Sequence, residues 1–292
     1  MLTAECLTYI YGAGTPFERK ALDEVSFQVA DGEIAGLIGH TGSGKSTLAQ
    51  HLNALLKPLS GTVLLDGKNI WETGVRMARF QVGLVFQYPE YQLFEETVFK
   101  DIAFGVKNSG LSAQEELEDR VYSAMDFVHL PRSIAQKSPF ELSGGQKRRV
   151  AIAGVIAMMP RVLILDEPTA GLDPEGRREI LGHIQAYRDA VGASVVIISH
   201  SMEEVARLAD SITVLSEGRV AMNGTPREVF AREDELRKMR LAFPAVTQVL
   251  RRLRLMGVSV DENIYTMPEA LSELDRVKKL RISAGAGDSA LC

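Results

Sequence analysis

Residues Gly39–Thr47 read GHTGSGKST. They fit the pattern G-x-x-x-x-G-K-[ST] at every position, and their flanks supply the context that pattern needs. An apolar run, Ile34–Ile38, leads in, and helix-compatible residues, Leu48–Leu56, lead out. In a strand–loop–helix of this kind, glycines let backbone N–H groups reach phosphate oxygens with no Cβ in the way, and the start of the helix adds partial positive charge. Gly39, His40, Thr41, Gly42, Ser43, Gly44 and Thr47 are therefore expected to cradle phosphates. Lys45 is expected to reach the β- and γ-phosphates, and Ser46 to place its hydroxyl on Mg2+.

Working towards the amino terminus, Leu7–Tyr11 and Leu22–Val29 read as strands around the loop GAGTPFERKA, a β-rich lead-in. Tyr9 and Tyr11 are either core aromatics or a flat face for a purine ring. Towards the carboxyl terminus, Gly61–Gly67 reads as a strand closed by an Asp-Gly turn, and Val82–Phe86 as a strand that delivers Gln87 to its end. Gln87 is a metal ligand or water-orienting group, or an ordinary loop residue.

Residues 89–160 change to a helical character. Ser112–Glu115 reads as a capping box, with Leu117, Val121, Met125 and Val128 as one apolar stripe behind it. Leu142–Gln146, LSGGQ, opens a helix-compatible run to Met159 and offers a second anion site, with Ser143, Gly145 and Gln146 at a helix mouth. Val162–Leu165 is a fully apolar strand ending in Asp166 and Glu167. Adjacent carboxylates at a strand end near a phosphate loop suit one group for the metal shell and one to polarise the attacking water. His200 follows the strand Ser194–Ser199, which puts it on the same sheet edge as Gln87 and Asp166.

The bulk properties bound the partners. The chain has 292 residues with 46% hydrophobic and 24% charged side chains, the profile of a globular protein able to bury a sizeable core. A net charge of −5 leaves no basic footprint, so nucleic acid is not expected as a partner. Cys6 and Cys292 make no metal or redox spacing, and a reducing cytosol fits. The first residues, MLTAECLTYIYG, carry no signal-peptide pattern. Val150–Leu165, broken by Pro160 and Arg161, is too short to span about 30 Å of hydrocarbon, so work at a membrane would require docking on another subunit.

Taken together, Gly39–Thr47, Gln87, Leu142–Gln146, Leu163–Pro168 (LILDEP), Gly171–Asp173 and His200 resemble, in order, the nucleotide-binding subunit of ATP-binding-cassette (ABC) transporters. The resemblance covers about residues 2–230. It implies an α/β fold of the P-loop NTPase type with a β-rich lead-in, a helical signature subdomain and a small carboxyl-terminal helical appendage. It also implies a head-to-tail pair of subunits with ATP sandwiched between them. Tyr11 would stack on adenine, which turns the choice above towards the purine. Ser46 and Gln87 would ligate Mg2+, Asp166 would hold the metal's water ligands, Glu167 would be the general base, and His200 would contact the γ-phosphate. Ser143, Gly145 and Gln146 would serve the opposite subunit, and Asp173 would lie in the loop crossing the interface.

Gly14–Leu22, Val85–Val98, Ser138–Gly154 and the helical tail are similar to the energy-coupling factor (ECF) importers, in particular to the second of their two paralogous ATPases. The expected partners are then the other ATPase paralogue in a heterodimer, a transmembrane coupling subunit contacted near Tyr88–Val98, and membrane proteins that bind vitamins or transition-metal ions. The expected location is the cytoplasmic face of the cell membrane. The alternative is an ABC importer ATPase that works as a homodimer. A soluble ABC protein acting on DNA or ribosomes is disfavoured, because neither a long coiled coil nor a second cassette is present. The expected division is 1–230 for the ATP-binding domain, with a helical subdomain at about 89–160, then 231–282 for the appendage and 283–292 for a fraying tail. In the appendage, Val246, Val249, Leu250 and Leu253 form one stripe and Leu271, Leu274 and Val277 another, packing either on the main domain or on a partner.

Overall fold

The computed structural model describes residues 1–110 and 114–287. In chain order the first part comprises β1 (Leu2–Tyr11), β2 (Arg19–Val29), β3 (Ile34–Ile38), α1 (Lys45–Leu52), β4 (Ser60–Leu65), β5 (Lys68–Asn69), α2 (Ile70–Thr73), α3 (Val75–Gln81) and β6 (Val82–Val85). The helices α4 (Val98–Ser109), α5 (Gln114–Phe127) and α6 (Gly144–Ile156) follow. Then come β7 (Val162–Asp166), α7 (Pro174–Val191), β8 (Ser194–Ile198), α8 (Met202–Leu208), β9 (Ser211–Ser216) and β10 (Arg219–Gly224). Four helices end the described residues: α9 (Pro226–Ala231), α10 (Glu233–Lys238), α11 (Ala245–Leu255) and α12 (Met267–Gly287).

One sheet has the order β10-β9-β3-β8-β7-β6, parallel except for β10, and the other is antiparallel with the order β2-β1-β4-β5. The apolar runs seen in sequence as β3, β6, β7 and β8 are buried along their whole length, as strands covered on both faces must be. Their two-residue periodicity divides the core. Leu163, Leu165, Val195 and Ile197 point to α4, α5, α6 and α7. Val162, Ile164, Val196 and Ile198 point to α1 and the antiparallel sheet. This sandwich holds every parallel strand's carboxyl end at one edge, where the candidate site lies.

Boundaries move where packing overrides local signals. The first strand begins at Leu2 instead of Leu7, because Leu2 and Ala4 pair with Val29 and Phe27 and are buried. The helix after the phosphate loop stops at Leu52, well before Leu56. The stripe Leu117, Val121 and Met125 of α5, with Val128 just after it, is buried as expected. The proposed capping box begins at Ser112 and Ala113, which lie outside the described residues, as do 288–292.

Packing does not pause at residue 230. Leu236, Leu241, Phe243 and Tyr265 share a core with Ile212, Val214, Met222 and Phe230. The helices α11 and α12 instead bury Val246, Leu250, Val260, Ala270 and Val277 chiefly against each other. Val249, Leu271 and Leu274 of the two stripes are exposed and do not pack on the main domain.

Candidate active site

The loop 39–44 joins β3 to α1 through residues that only glycine suits. A Cβ on Gly39 would meet the Leu215 carbonyl oxygen at 2.2 Å. Gly44, with φ 108°, would put one 2.6 Å from the Ala21 carbonyl oxygen. Ser43 N–H donates to the His40 carbonyl (3.1 Å) and Gly218 N–H to the Ser43 carbonyl (3.1 Å), so β9, β10 and the lead-in hold the loop's shape. Ser43 itself is wholly buried beneath the loop, its N–H and carbonyl are both engaged within the protein, and it lines neither of the clefts described below. Lys45 Nζ donates to the carbonyls of Gly39 (2.7 Å) and His40 (3.0 Å), lying along the loop it would share with a phosphate. Burial lowers the Lys45 pKa, against the opposing pull of Glu167 and Asp166.

A cleft of about 480 Å³ brings together Gly39, His40, Thr41, Gly42, Lys45, Ser46, Gln87, Asp166, Glu167 and His200. Their convergence follows from topology, since β3, β6, β7 and β8 all end at this edge. Asp166 ends β7 and is buried. Burial raises its pKa, while a hydrogen bond from Ser46 and the charge of Lys45 pull it down. Glu167 follows in the left-handed region at φ 53°, its N–H donating to the Ile198 carbonyl at 2.9 Å. That turn swings the carboxylate to His200, whose Nδ1 donates to Oε2 at 2.6 Å. Burial pushes Glu167 above the ordinary carboxylate range; the charge and hydrogen bonds of His200 oppose the shift and Asp166 adds to it.

A neighbouring cleft of about 160 Å³ is walled by Tyr11, Arg19, Ala21, Gly42, Gly44, Lys45, Ser46 and Thr47. The two tyrosines divide their duties. Tyr9 packs on the core and edge-on to His51 (4.7 Å), whereas Tyr11 is 40% exposed and its hydroxyl lies 3.3 Å from Thr47 Oγ1. An exposed ring beside a phosphate loop can take a flat base.

Ser143, Gly145 and Gln146 are elsewhere: neither cleft includes them in its walls. They form the mouth of α6 as a complete capping box. Ser143 Oγ accepts from Gln146 N–H (3.3 Å) and Gln146 Oε1 from Ser143 N–H (3.1 Å). Ser143 and Gly145 are exposed, and a Cβ on Gly145 would meet nothing within 4 Å. Asp173 caps α7, accepting from Gly176 N–H at 2.8 Å.

Three residues at or beneath the site had no readable role in sequence. Arg148, 3% exposed, donates to both oxygens of Glu90 (3.1 and 2.9 Å) and to the carbonyls of Pro168 (3.4 Å) and Ala170 (2.6 Å). It thereby fastens α6 to the segment after Gln87 and to the segment after Glu167. Buried Glu204 accepts from Thr169 Oγ1 (2.8 and 3.0 Å) and Ser199 Oγ (3.1 Å), which locks the acidic segment to the one carrying His200. Arg240 lines the main cleft from the start of the appendage. For Arg148, the basic triplet Lys147–Arg149 was the one available signal. For Glu204 it was the spacing from the cap residue Ser201.

The oxygen donors Ser46, Gln87 and Asp166 around one cleft suit a hard cation such as Mg2+. With Lys45 and a loop of N–H groups beside them, the arrangement can hold a polyphosphate and present its terminal phosphorus to a water activated by Glu167.

Comparison with known proteins gives a consistent result. A family model described as ABC transporter matches residues 22–170. The chain is 52% identical over 277 residues to the energy-coupling factor transporter ATP-binding protein EcfA2 of Caldanaerobacter subterraneus subsp. tengcongensis, covering 94% of this chain and 96% of the relative. It is 54% identical over 276 residues to the protein of the same name from Clostridium acetobutylicum, with 94% and 96% covered. Among solved structures, cbiO1 from Clostridium perfringens, described as part of the ABC transporter complex cbiONQ, superposes with a TM-score of 0.71 at 39% identity, covering 88% of this chain and 98% of that one. The dimeric ATP-binding cassette MJ0796 bound to ADP and Pi gives 0.70 at 27% identity, covering 77% and 99%.

Proposed function

From the premise that this chain belongs to the ABC transporter family, as an ATP-binding and ATP-hydrolysing subunit of the energy-coupling factor type, we propose how its own residues carry that activity and with what partners. Gly39–Thr47 hold the phosphates, Lys45 neutralises the β- and γ-phosphate charge, and Tyr11 takes the adenine ring. Ser46 and Gln87 would hold Mg2+, with Asp166 behind it, and the ion would supply charge neutralisation across the β- and γ-phosphates. Glu167 accepts the proton of the attacking water as its oxygen bonds to the γ-phosphorus. The bond to the β-phosphate oxygen breaks, and ADP and inorganic phosphate leave. His200 orients Glu167 and faces the γ-phosphate. Positioning and charge stabilisation carry most of the rate, with general-base assistance added.

The observation that carries this reading is the separation of the two anion sites. Lys45 and Glu167 share a cleft, whereas Ser143 and Gly145 stand exposed at a helix mouth outside it. A second subunit's helix mouth would complete the cleft. That subunit is the other ATPase paralogue of a coupling-factor transporter. The pair docks on a transmembrane coupling subunit at the cytoplasmic face of the membrane and serves membrane proteins that capture vitamins or transition-metal ions. No helix among the described residues is long and apolar enough to cross a membrane, in keeping with a peripheral subunit.

The test is the molar mass of purified Glu167→Gln with and without Mg-ATP, by size-exclusion light scattering. Blocking hydrolysis leaves an ATP-linked pair populated by mass action. The expected result is a chain that binds ATP and stays monomeric until the second paralogue is added. An ATP-dependent homodimer would replace the heterodimer with the homodimeric reading. A chain that pairs with neither, while binding ATP, would overturn the shared-site reading.

A further inference from the structure

A second cluster of ligating side chains lies away from the nucleotide cleft, between α5 and α7. Glu179 and His183 stand one turn apart on the same face of α7. His129 follows the end of α5 in the left-handed region at φ 52°, where Leu130 N–H donates to the Met125 carbonyl (2.8 Å) and His129 N–H to the Asp126 carbonyl (3.1 Å). This turn brings the His129 ring edge-on to His183, with centroids 4.5 Å apart. One ligand atom from each of His129, Glu179 and His183 lies within 4.8 Å of the other two.

The telling residue is His183. It is 94% buried, since 6% remains exposed, and neither Nδ1 nor Nε2 has a hydrogen-bond partner. Native interiors rarely leave such groups unpaired, and in an imidazole the nitrogens are also metal donors. Glu179 Oε1 accepts a hydrogen bond from Arg149 at 2.7 Å, a pairing that orients the carboxylate as outer partners of metal ligands do and leaves its second oxygen as the ligand atom. Burial lowers the His183 pKa, the His129 ring and Arg149 adding to the shift and Glu179 opposing it.

We propose that His129, Glu179 and His183 form a binding site for a divalent transition-metal ion, which ties the end of α5 to α7. Two imidazoles and a carboxylate suit Zn2+ or Co2+ in preference to Mg2+ or Ca2+. Bonds of about 2.1 Å would draw the donors to roughly 3.4 Å from one another in a tetrahedron, a closure that side-chain rotation supplies. Exposed His129 leaves the outer side open to a water as fourth ligand. Such an ion would hold the helical layer of α4, α5 and α6 to α7, the helix that Asp173 caps.

The site is tested with the full chain, nucleotide-free, using Co2+ followed by its visible ligand-field bands, with Zn2+ in competition. The expected result is one equivalent of four-coordinate Co2+, displaced by Zn2+, with affinity at least about tenfold weaker in His129→Gly and in His183→Gln. Zn2+ should also raise the melting temperature of the parent and not of the variants. His129→Gly suits the left-handed backbone and preserves the fold, so it decides the matter if His183→Gln does not fold. Absence of binding in the parent, or affinity kept within about twofold in His129→Gly, would overturn the site.

Discussion

The two regions proposed to bind anions are built on opposite plans. Around the phosphate loop, each charged group has another protein group beside it. Lys45 lies on two carbonyls, Asp166 shares the cleft with Ser46 and Lys45, and Glu167 takes His200. At the mouth of α6, the Ser143 and Gln146 side chains satisfy only each other's backbone, and Gly145 offers an unobstructed main chain to solvent. On the proposed reading, one region performs chemistry and needs many elements to shape it. The other only has to be presented, and a single helix does that. Arg148 belongs to both, because it rises from α6 and grips the segments leading from Gln87 and Glu167.

The contrast breaks most severely at the base. Glu167→Gln should keep ATP binding and lose turnover by about 10²–10⁴-fold, read by phosphate release; near-normal hydrolysis would remove Glu167 from that role. Next, Arg148→Ala leaves Glu90 half-buried without its cation. It should cost about 3–5 kcal/mol in denaturant unfolding, since removing one partner strands the other. The presented region responds differently. Gly145→Asp places a carboxylate in open space, so the melting temperature should barely move, while hydrolysis in the paired state falls on the order of 10²-fold. Loss of ATP binding by the isolated Gly145→Asp chain would show that the two regions are not separate.

Smaller effects sharpen the picture. Tyr11→Ala should weaken nucleotide binding about 5- to 150-fold by fluorescence titration, the worth of one stacked base, and Tyr11→Phe should restore it. The least effect is a displacement of the pH–rate profile. Glu167 must be ionised to act, and its raised pKa places the acid limb above the ordinary 4.5. His200 favours the ionised form, so His200→Gln should move that limb to higher pH; an unmoved limb would separate His200 from the base.

What the sequence made legible follows from how local each signal is. Gly39–Thr47, the Asp166–Glu167 pair and the helix mouth at Ser143 are continuous stretches whose chemistry can be read without knowing their neighbours. The parallel strands were legible because burial on both faces leaves apolar runs such as Val162–Leu165. Arg148 and Glu90 were not, since their pairing spans 58 residues and neither stands out within its own segment. His129 and His183 meet only because two helices pack. In the appendage, helical spacing marked the apolar stripes as helices but left open whether they pack on the main domain or on a partner, and Val249 and Leu271 stand exposed in the single chain.

The position of β3 in its sheet has a consequence for synthesis. The strand that carries the phosphate loop is bracketed by β8 and β9, with Ile34 opposite Val195 and Ala35 opposite Ser211. A growing chain thus exposes its most recognisable motif early and has nothing to pair that strand with until residues 194–216 have emerged. Closing so long a stretch makes this step slow and open to misassembly. An amino-terminal fragment ending before β8 would hold the whole GHTGSGKST sequence and still lack the frame that gives it shape.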